Sequence, residues 1–359
     1  YAKMSHYVDE IKQQKYTGTR GLPAPPFMHA TAHWVAFGLW YIGGCVVIQS
    51  NTSRFDADDF WSTLEKHSVS SAVIVGDAFA VPLIEQLAQK NYHLKDFKRL
   101  TSGGAILSDA SKKALIDHIP HLNIVDTLGS SEAGAQASRH YSKKNQTIEQ
   151  FTPADFGVVI NDALTAELPQ NDCSEGWLAR SGFIPLGYLN DQAKTEKTFP
   201  DINGSRYSIP GDRAHWQKDG TIKLLGRDSA TINTGGEKVF SEEVEMVIKD
   251  HPAVYDTIVI GTAHEKFGSQ VTALIQIRLE METTETAIVD SMRDKISGYK
   301  LPKLIYFVEK LHRNPNGKPD FKWAHNEAKD QAKKRLKNIV SNHIGSGSSG
   351  QDAAIFNKA

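Results

Sequence analysis

Near the C-terminal end of the sequence, HRNPNGKPDFKW (312–323) sets a Gly-Lys pair in a proline-flanked turn. Such a pair suggests phosphate, but the loop that usually accompanies it, two glycines bracketing four residues ahead of Lys-Ser/Thr, is absent. Upstream, TLGSSEAG (127–134) strings a strand-end glycine, two hydroxyls and a carboxylate. The hydroxyls can contact phosphate and Glu132 can hold a hard cation such as Mg²⁺. Taken alone, the same residues also read as a capped helix start with Glu in its first turn. PGDRAHW (210–216) offers Asp212 in a glycine turn, which can chelate a ribose diol and is equally common in turns with no ligand. TSGGAI (101–106) and NTGGEKV (233–239) are glycine turns, weak signals singly because glycine serves any turn of positive φ. His29 and His33 have the i, i+4 spacing of a helical zinc pair. The metalloprotease version needs a Glu after the first His, however, and that position is Ala30. Both histidines are expected in the core or lining a pocket, with His29 able to touch a substrate.

Strand-like apolar runs alternate with helical stretches around these motifs. FDADDFWSTLEKH is a helix capped by Asp56 or Asp58, SSAVIVGDAF a buried strand ending in a turn, and DASKKALIDHI a further helix. HLNIVDTLGSSEAG begins as a short strand, Asn123–Asp126, and runs into a Gly-Ser turn. Strand-end loops rich in polar residues indicate an α/β architecture. From Pro153 to about Arg227 the texture shifts to short strands and turns. From Asp228 to about Val340 the order loop, helix, strand, strand, helix, strand reads as a compact α+β unit. Arg227–Ala230 is the expected boundary. Phe321–Val340, with six Lys/Arg against two Asp/Glu, reads as a solvated basic helix. The Gly/Ser-rich end of the chain reads as a flexible tail.

Composition narrows the function classes. The sequence has 359 residues, 40% hydrophobic and 23% charged, with a formal net charge of −1. No basic excess recruits nucleic acid. The most apolar run, VAFGLWYIGGCVVI (35–48), is too short and too broken by glycine for a membrane span and reads as helix, turn and strand. The two cysteines, Cys45 and Cys173, form neither a zinc pattern nor a disulfide framework, so a reducing cytoplasm is expected, with no secretory leader.

The motifs gain specificity from their order. PPFMHATAHW, SGGAILS, DTLGSSEAG, EGWLARSG…GYLND, IPGDRAHW, GRDSATINTGGEKVFSEEVE, GYKLPK and RNPNGKPDFKW follow one another over nearly all of residues 20–330. The series resembles the adenylate-forming superfamily of acyl-CoA synthetases, luciferases and peptide-synthetase adenylation domains. INTGGEKVFSEEVE with NPNGKPDFKWA looks most like bacterial acyl-CoA synthetases of lipid and steroid side-chain degradation.

The resemblance implies a large multi-layer α/β domain over 1–227, a small α+β lid domain over 228–340 and a flexible tail over 341–359. It implies an ATP-dependent acid–CoA ligase that converts a hydrophobic carboxylic acid to acyl-AMP and then passes the acyl group to CoA, with Mg²⁺. Carried over by position, Gly103, Gly104 and Ala105 would line the adenine. Asp126, Thr127, Leu128, Gly129, Ser130 and Ser131 would surround the nucleotide. Ser131 would meet phosphate and Glu132 would hold Mg²⁺. Leu128 stands where the family usually stacks an aromatic ring, so weaker stacking is expected. Asp212 would chelate the ribose hydroxyls and Arg227 would contact the ribose-phosphate side. His29 would gate the acyl pocket, walled in part by Trp34, Phe37 and Trp40. Gly235 and Gly236 match the loop that forms the pantetheine tunnel. Ser229 takes the hinge position, where Asp or Lys is usual. Lys318 matches the catalytic lysine.

Family members are usually longer at the N-terminus, where a Ser/Thr/Gly-rich loop ending in Lys-Gly grips the β- and γ-phosphates. The expectation is therefore either an incomplete chain, one completed by a second chain or by oligomerisation, or a non-catalytic nucleotide- or acyl-binding subunit.

Overall fold

The computed structural model of the protein describes residues 18–145 and 150–345, with side chains to residue 337. Three sheets and their helices account for it. In the first, β1 (Arg20–Pro23), β2 (Cys45–Val46), β3 (Ser71–Ile74), β4 (Arg99–Gly103), β5 (Asn123–Ser130), β6 (Gly134–Tyr141) and β7 (Thr152–Pro153) lie in the order β2-β1-β3-β4-β5-β6-β7. Pairing is parallel from β2 to β5 and antiparallel from β5 to β7. The parallel strands are linked by α1 (Ala30–Tyr41), α2 (Ala57–Lys66), α3 (Asp77–Gln89) and α4 (Asp109–His118). Local chemistry starts two of these helices: the Asp56 carboxylate accepts from Asp59 N at 3.1 Å, and Ser108 Oγ accepts from Ser111 N at 3.2 Å. Their apolar faces bury Phe60, Trp61, Leu83 and Leu115 against Ile74, Leu100 and Ile124. The turns that follow the carboxyl ends of β3 and β4 lie at the place where open α/β sheets bind ligands.

β5 extends to Ser130, beyond the expected short strand, and no helix starts at Glu132. The antiparallel partner β6 explains this. It pairs Thr127 with Ser138, Leu128 with Ala137 and Ser130 with Gly134, and this ladder outweighs the turn preference of Gly and Ser. The segment Ser131–Ala133 is thus the tip of a β-hairpin.

The second sheet has the order β13-β12-β9-β8, from β8 (Gly157–Asn161), β9 (Gly176–Arg180), β12 (Asp212–Trp216) and β13 (Ile222–Arg227). A small hairpin, β10 (Asp201–Ile202) with β11 (Ser205–Arg206), follows the short helix α5 (Gln192–Thr198).

After a 3₁₀ turn at Asp228–Ala230, the third sheet comprises β14 (Thr231–Thr234), β15 (Glu237–Phe240), β16 (Val254–His264), β17 (Gly268–Ile277) and β18 (Leu304–Val308). Where the sequence order begins with a loop, the structure forms the β14–β15 hairpin. Gly235 (φ 60°) and Gly236 (φ 91°) form its two-residue turn, a left-handed geometry that matches strand twist. Alternation along β16 serves two cores: Val259 faces α6 (Ser241–Lys249) and α7 (Glu285–Met292), while Ile258 and Ile260 face α8 (Phe321–Gly345). The basic helix expected to end at Val340 therefore continues to Gly345, and the expected tail lies outside the described residues from 346 onward. No helix among the described residues is long and apolar enough to cross a membrane.

Candidate active site

Two turns at the carboxyl ends of β3 and β4 form the floor of the site. Gly76 N donates to Ser102 Oγ at 3.0 Å, and Asp77 N donates to the Ile106 carbonyl at 2.8 Å. These bonds fix the SGGAI turn, in which Gly104 adopts φ 88°. A side chain on Gly104 would put its Cβ 3.9 Å from Lys318 Cε, so the lysine lies across the turn. Gly103 is closer still to the next strand, its would-be Cβ 3.2 Å from the Thr127 carbonyl.

One wall is the β5–β6 hairpin. Ser130 Oγ accepts from Ala133 N at 3.2 Å, which sets the tip, and Ser131 is exposed beside it. Glu132 accepts the Tyr188 hydroxyl at 2.7 Å, and its carbonyl accepts Ser208 Oγ at 2.9 Å. Burial pushes the Glu132 carboxyl up, but hydrogen bonds from Tyr188, its own backbone and Ser130, with Arg227 nearby, hold it below its ordinary value. It is therefore an anion at neutral pH. The same contact and burial push the Tyr188 phenol up to about 12. Leu128 is half-buried and packs against the second-sheet core of Val159, Trp216 and Ile222.

Asp126 is engaged elsewhere. Its carboxylate is 3.3 Å from Lys112 Nζ and 2.8 Å from Arg139 Nη2, a buried ion cluster that knits β5 to α4 and β6. That pairing uses the carboxylate within the fold, in contrast to the nucleotide contact expected for it.

The opposite wall comes from β12 and β13, where Asp212 and Arg227 stand directly across the ladder with Arg227 Nε 2.9 Å from Asp212 Oδ1. Lys318 completes the constellation. Burial pushes its ammonium pKa down, Arg227 adds to that, and the carboxylates of Glu132 and Asp212 oppose it. The four side chains thus feel one another's charge, from four separate segments of the chain.

His29 lies at the N-terminus of α1, its Nδ1 3.4 Å from Asn316 Nδ2 in the Lys318 turn. His33 packs edge-on against Trp34 and Phe37, and no group of three or more metal-ligating side chains forms among the described residues. Trp34, Phe37 and Trp40 are exposed along α1. Gly235 and Gly236 stand apart from this constellation: Gly235 N donates to the Phe267 carbonyl at 3.0 Å, and a Cβ on Gly236 would meet open space. Sequence reasoning missed Tyr188 and Asn316 as members of the site, although both fall inside motifs that carried the resemblance.

Glu132, ionised and flanked by hydroxyls, fits Mg²⁺. This ion takes one or two carboxylates and completes its shell with water and phosphate oxygens, so a larger acidic cluster is not needed.

Comparison with known proteins agrees with this geometry. The AMP-binding enzyme family matches residues 2–179, and the AMP-binding enzyme C-terminal domain matches residues 243–318, ending on Lys318. The medium-chain acyl-CoA ligase Mig of Mycobacterium avium is 38% identical over 326 residues, covering 90% of this chain and 59% of that protein. The 3-oxocholest-4-en-26-oate–CoA ligase of Rhodococcus rhodochrous is 37% identical over 329 residues, covering 89% of this chain and 58% of its own length. The chain thus spans somewhat under two thirds of these relatives. Among solved structures, ATP-bound MatB of Rhodopseudomonas palustris superposes with a TM-score of 0.74 at 22% identity, covering 91% of this chain and 63% of the other. The amide bond synthetase McbA of Marinactinospora thermotolerans gives the same score at 21% identity, over 90% of this chain and 65% of that one. Sequence motifs, sheet topology and these matches converge, and the chain belongs to the AMP-binding enzyme family of adenylate-forming proteins.

Proposed function

We propose that this chain carries the chemistry of an ATP-dependent acid–CoA ligase acting on a hydrophobic carboxylic acid. The observation that supports it best is Lys318 lying across the Gly104 turn, where its ammonium feels the charges of Arg227, Glu132 and Asp212. A carboxylate is a poor acyl donor because it is anionic and lacks a leaving group. Attack of its oxygen on the α-phosphorus of ATP, with departure of pyrophosphate, supplies one. That attack brings two anions together, and Lys318 is the charge that spans them as negative charge develops. The glycine turn allows adenine to lie against backbone, Asp212 accepts from the ribose hydroxyls and Arg227 faces the phosphate side. Mg²⁺, held by Glu132, would supply charge neutralisation to the phosphates when bound.

In the second half-reaction the CoA thiolate attacks the carbonyl carbon of the acyl-adenylate and AMP leaves. Residues beyond Arg227 act as a lid that turns about Asp228–Ala230, withdraws Lys318 and brings the Gly235–Gly236 turn to the pantetheine arm. Such lid motions often limit turnover. The acid meets the aromatic face of Trp34, Phe37 and Trp40, which fits an apolar acyl group and agrees with relatives named for medium-chain and steroid acids. Both cysteines are free and exposed, in keeping with a cytoplasmic setting.

A panel of fatty and steroid carboxylic acids, assayed for acid-dependent AMP release with ATP, Mg²⁺ and CoA on protein expressed from its complete coding sequence, tests the reading. Apolar acids should turn over and short polar acids should not. AMP binding without turnover of any acid would instead favour a non-catalytic nucleotide-binding subunit.

A further inference from the structure

The lysine turn is not held by its own residues alone. A line of alternating buried charges leads to it from the large domain. Asp77, at the start of α3, uses Oδ1 to accept Ser108 N at 3.0 Å and Ser108 Oγ at 3.1 Å. Its Oδ2 is 3.2 Å from Lys249 Nζ, at the last turn of α6 in the lid. Lys249 Nζ is also 3.2 Å from Asp256 Oδ1 on β16. Asp256 in turn binds Arg313 through both oxygens, at 2.6 Å to Nε and 2.7 Å to Nη2. Arg313 Nη1 finally donates to the Gly317 carbonyl at 3.2 Å, one residue before Lys318. Gly317 itself packs on the turn that bears Asp77, its would-be Cβ 3.2 Å from the Val75 carbonyl and 3.3 Å from Ala78 and Phe79.

The contacts divide into two classes. Lys249–Asp256–Arg313–Gly317 lies wholly inside the lid and travels with it. Asp77–Lys249 is the step of the line at which charge crosses between domains, and both of its side chains are less than a tenth exposed. Among the described residues a further ion pair, Arg278–Glu85 at 3.4 Å, also crosses; it is well exposed and contributes little. When the lid turns away, Lys249 retains Asp256 and Asp77 retains Ser108, so neither group is left bare. The contact therefore rewards one lid position without making the other prohibitive, which suits a device that must open on every cycle.

On the ligase reading above, we propose that Asp77 and Lys249 are positioning residues that register the lid in the adenylating arrangement. Their pairing fixes where Lys318 stands over the glycine turn, and they touch no substrate.

The test combines the two half-reactions with a direct measure of lid position. Asp77→Asn keeps the shape and the Oδ1 acceptor for Ser108 while removing the charge that faces Lys249. Adenylation should fall about 5- to 150-fold, the usual span of a coupling between two sites, in kcat and with KM for ATP little changed. Thioester formation from supplied acyl-adenylate should be unaffected or faster. Lys249→Gln should repeat the pattern, and the double variant should lose no more than the worse single one. Spin labels on Lys113→Cys and Lys333→Cys, in a background with Cys45 and Cys173 replaced by Ser, should report a shift away from the closed distance in Asp77→Asn. An unchanged distance distribution overturns the proposal, as does an equal loss in both half-reactions, which would mark a purely structural pair. The distance measurement needs no catalysis, so a wild-type protein that makes no acyl-adenylate would sink the ligase reading while leaving the registering contact to be judged by the labels.

Discussion

Two glycine turns of nearly the same backbone geometry have opposite surroundings. Both are exposed, but Gly104, at φ 88°, has Lys318 Cε and Val75 Cγ1 each 3.9 Å from where its Cβ would stand, whereas Gly236, at φ 91°, is a hairpin tip with nothing within 4 Å. The first is a floor whose neighbours are fixed by neutral hydrogen bonds, from Gly76 N to Ser102 Oγ and from Asp77 N to the Ile106 carbonyl. The second belongs to a domain whose interior is organised by buried charge. Proteins that run two reactions in one cleft must hold one set of groups still and move the other. On the proposed ligase reading, the stillness would fall to the large domain and the exchange to the residues beyond Arg227, with Lys318 standing forward over the Gly104 turn.

The hardest blow to this comparison falls on Lys318. If the lysine is a charge delivered only for the first half-reaction, Lys318→Ala should slow adenylation by about 10²–10³-fold, roughly 2.7–4 kcal/mol, mainly in kcat. Thioester formation from a supplied acyl-adenylate should hardly change, and Lys318→Arg should rescue poorly because a planar fork does not replace a point charge. A solvated turn lysine would show neither effect. Equal slowing of both steps would erase the distinction between the two turns.

Much of this was legible in the sequence, and the failures have physical causes. Helices with side-chain caps, such as those begun by Asp56 and Ser108, announce themselves within four residues, and the buried strands of the parallel sheet do so by their apolar runs. β5 was cut short because Gly and Ser look like a turn until the distant partner β6 supplies a ladder. The hairpin at Gly235–Gly236 hid because its strands mix polar and apolar residues that mean little without the turn between them. Within the site, Glu132, Asp212, Arg227 and Lys318 were each visible in a motif. Asp126 was visible too, yet its strand neighbours alone could not reveal that Lys112 and Arg139 would claim it. Asp77 and Lys249 carry no motif, and their meeting depends on how two domains dock.

Buried charge in the lid can be tested through Glu245. It is buried, feels the charges of Lys249 and Arg313, and accepts Val259 N at 2.9 Å. Burial pushes its carboxyl up from 4.5 to about 7, against the pull of Lys249 and Arg313. A carboxyl that binds its proton more tightly folded than unfolded stabilises least when ionised. The Glu245 contribution to stability should be greatest below about pH 4.5, fall as pH rises, and level off above about pH 7. Glu245→Gln preserves the acceptor and removes the titration. Relative to wild type it should be neutral at pH 4.5 and more stable at pH 8 by an amount of order 3 kcal/mol, read by denaturant unfolding of the lid transition. A difference that does not vary with pH would mean that the lid tolerates this charge, and that its interior is less electrostatically constrained than the comparison requires.

A smaller effect is expected on the fixed wall. Tyr188→Phe removes the hydroxyl that Glu132 accepts at 2.7 Å. With that bond gone, burial dominates and the Glu132 pKa rises. Glu132 must be ionised to hold a cation, so the acidic limb of the adenylation profile should move to higher pH, and more Mg²⁺ should be needed at a given rate. Because the carboxylate is only half-buried, the loss near neutral pH should stay within about tenfold. An unmoved acidic limb would remove Tyr188 from the site and leave Glu132 held by its hairpin alone.

The mildest test returns to the two turns themselves. Alanine at either glycine meets no serious collision: at Gly104 its Cβ would be 3.9 Å from Lys318 Cε and Val75 Cγ1, and at Gly236 it would face open space. Both substitutions therefore carry the same penalty, the left-handed backbone strain of an L-residue, about 1–2 kcal/mol. Similar strain should give similar losses of stability in the domain concerned, so any difference in catalysis must come from what each turn does. Gly104→Ala should slow adenylation and leave thioester formation alone if, as proposed, the turn supports adenine and Lys318. Gly236→Ala should do the reverse, because a thin pantetheine arm needs close backbone approach once the lid has turned. Each rate should drop by up to about tenfold, the equivalent of 1.36 kcal/mol if that much of the strain is felt in the transition state. Crossed or equal losses would show that the turns act on the fold as a whole, and the division between a fixed floor and an exchanging lid would have to be drawn elsewhere.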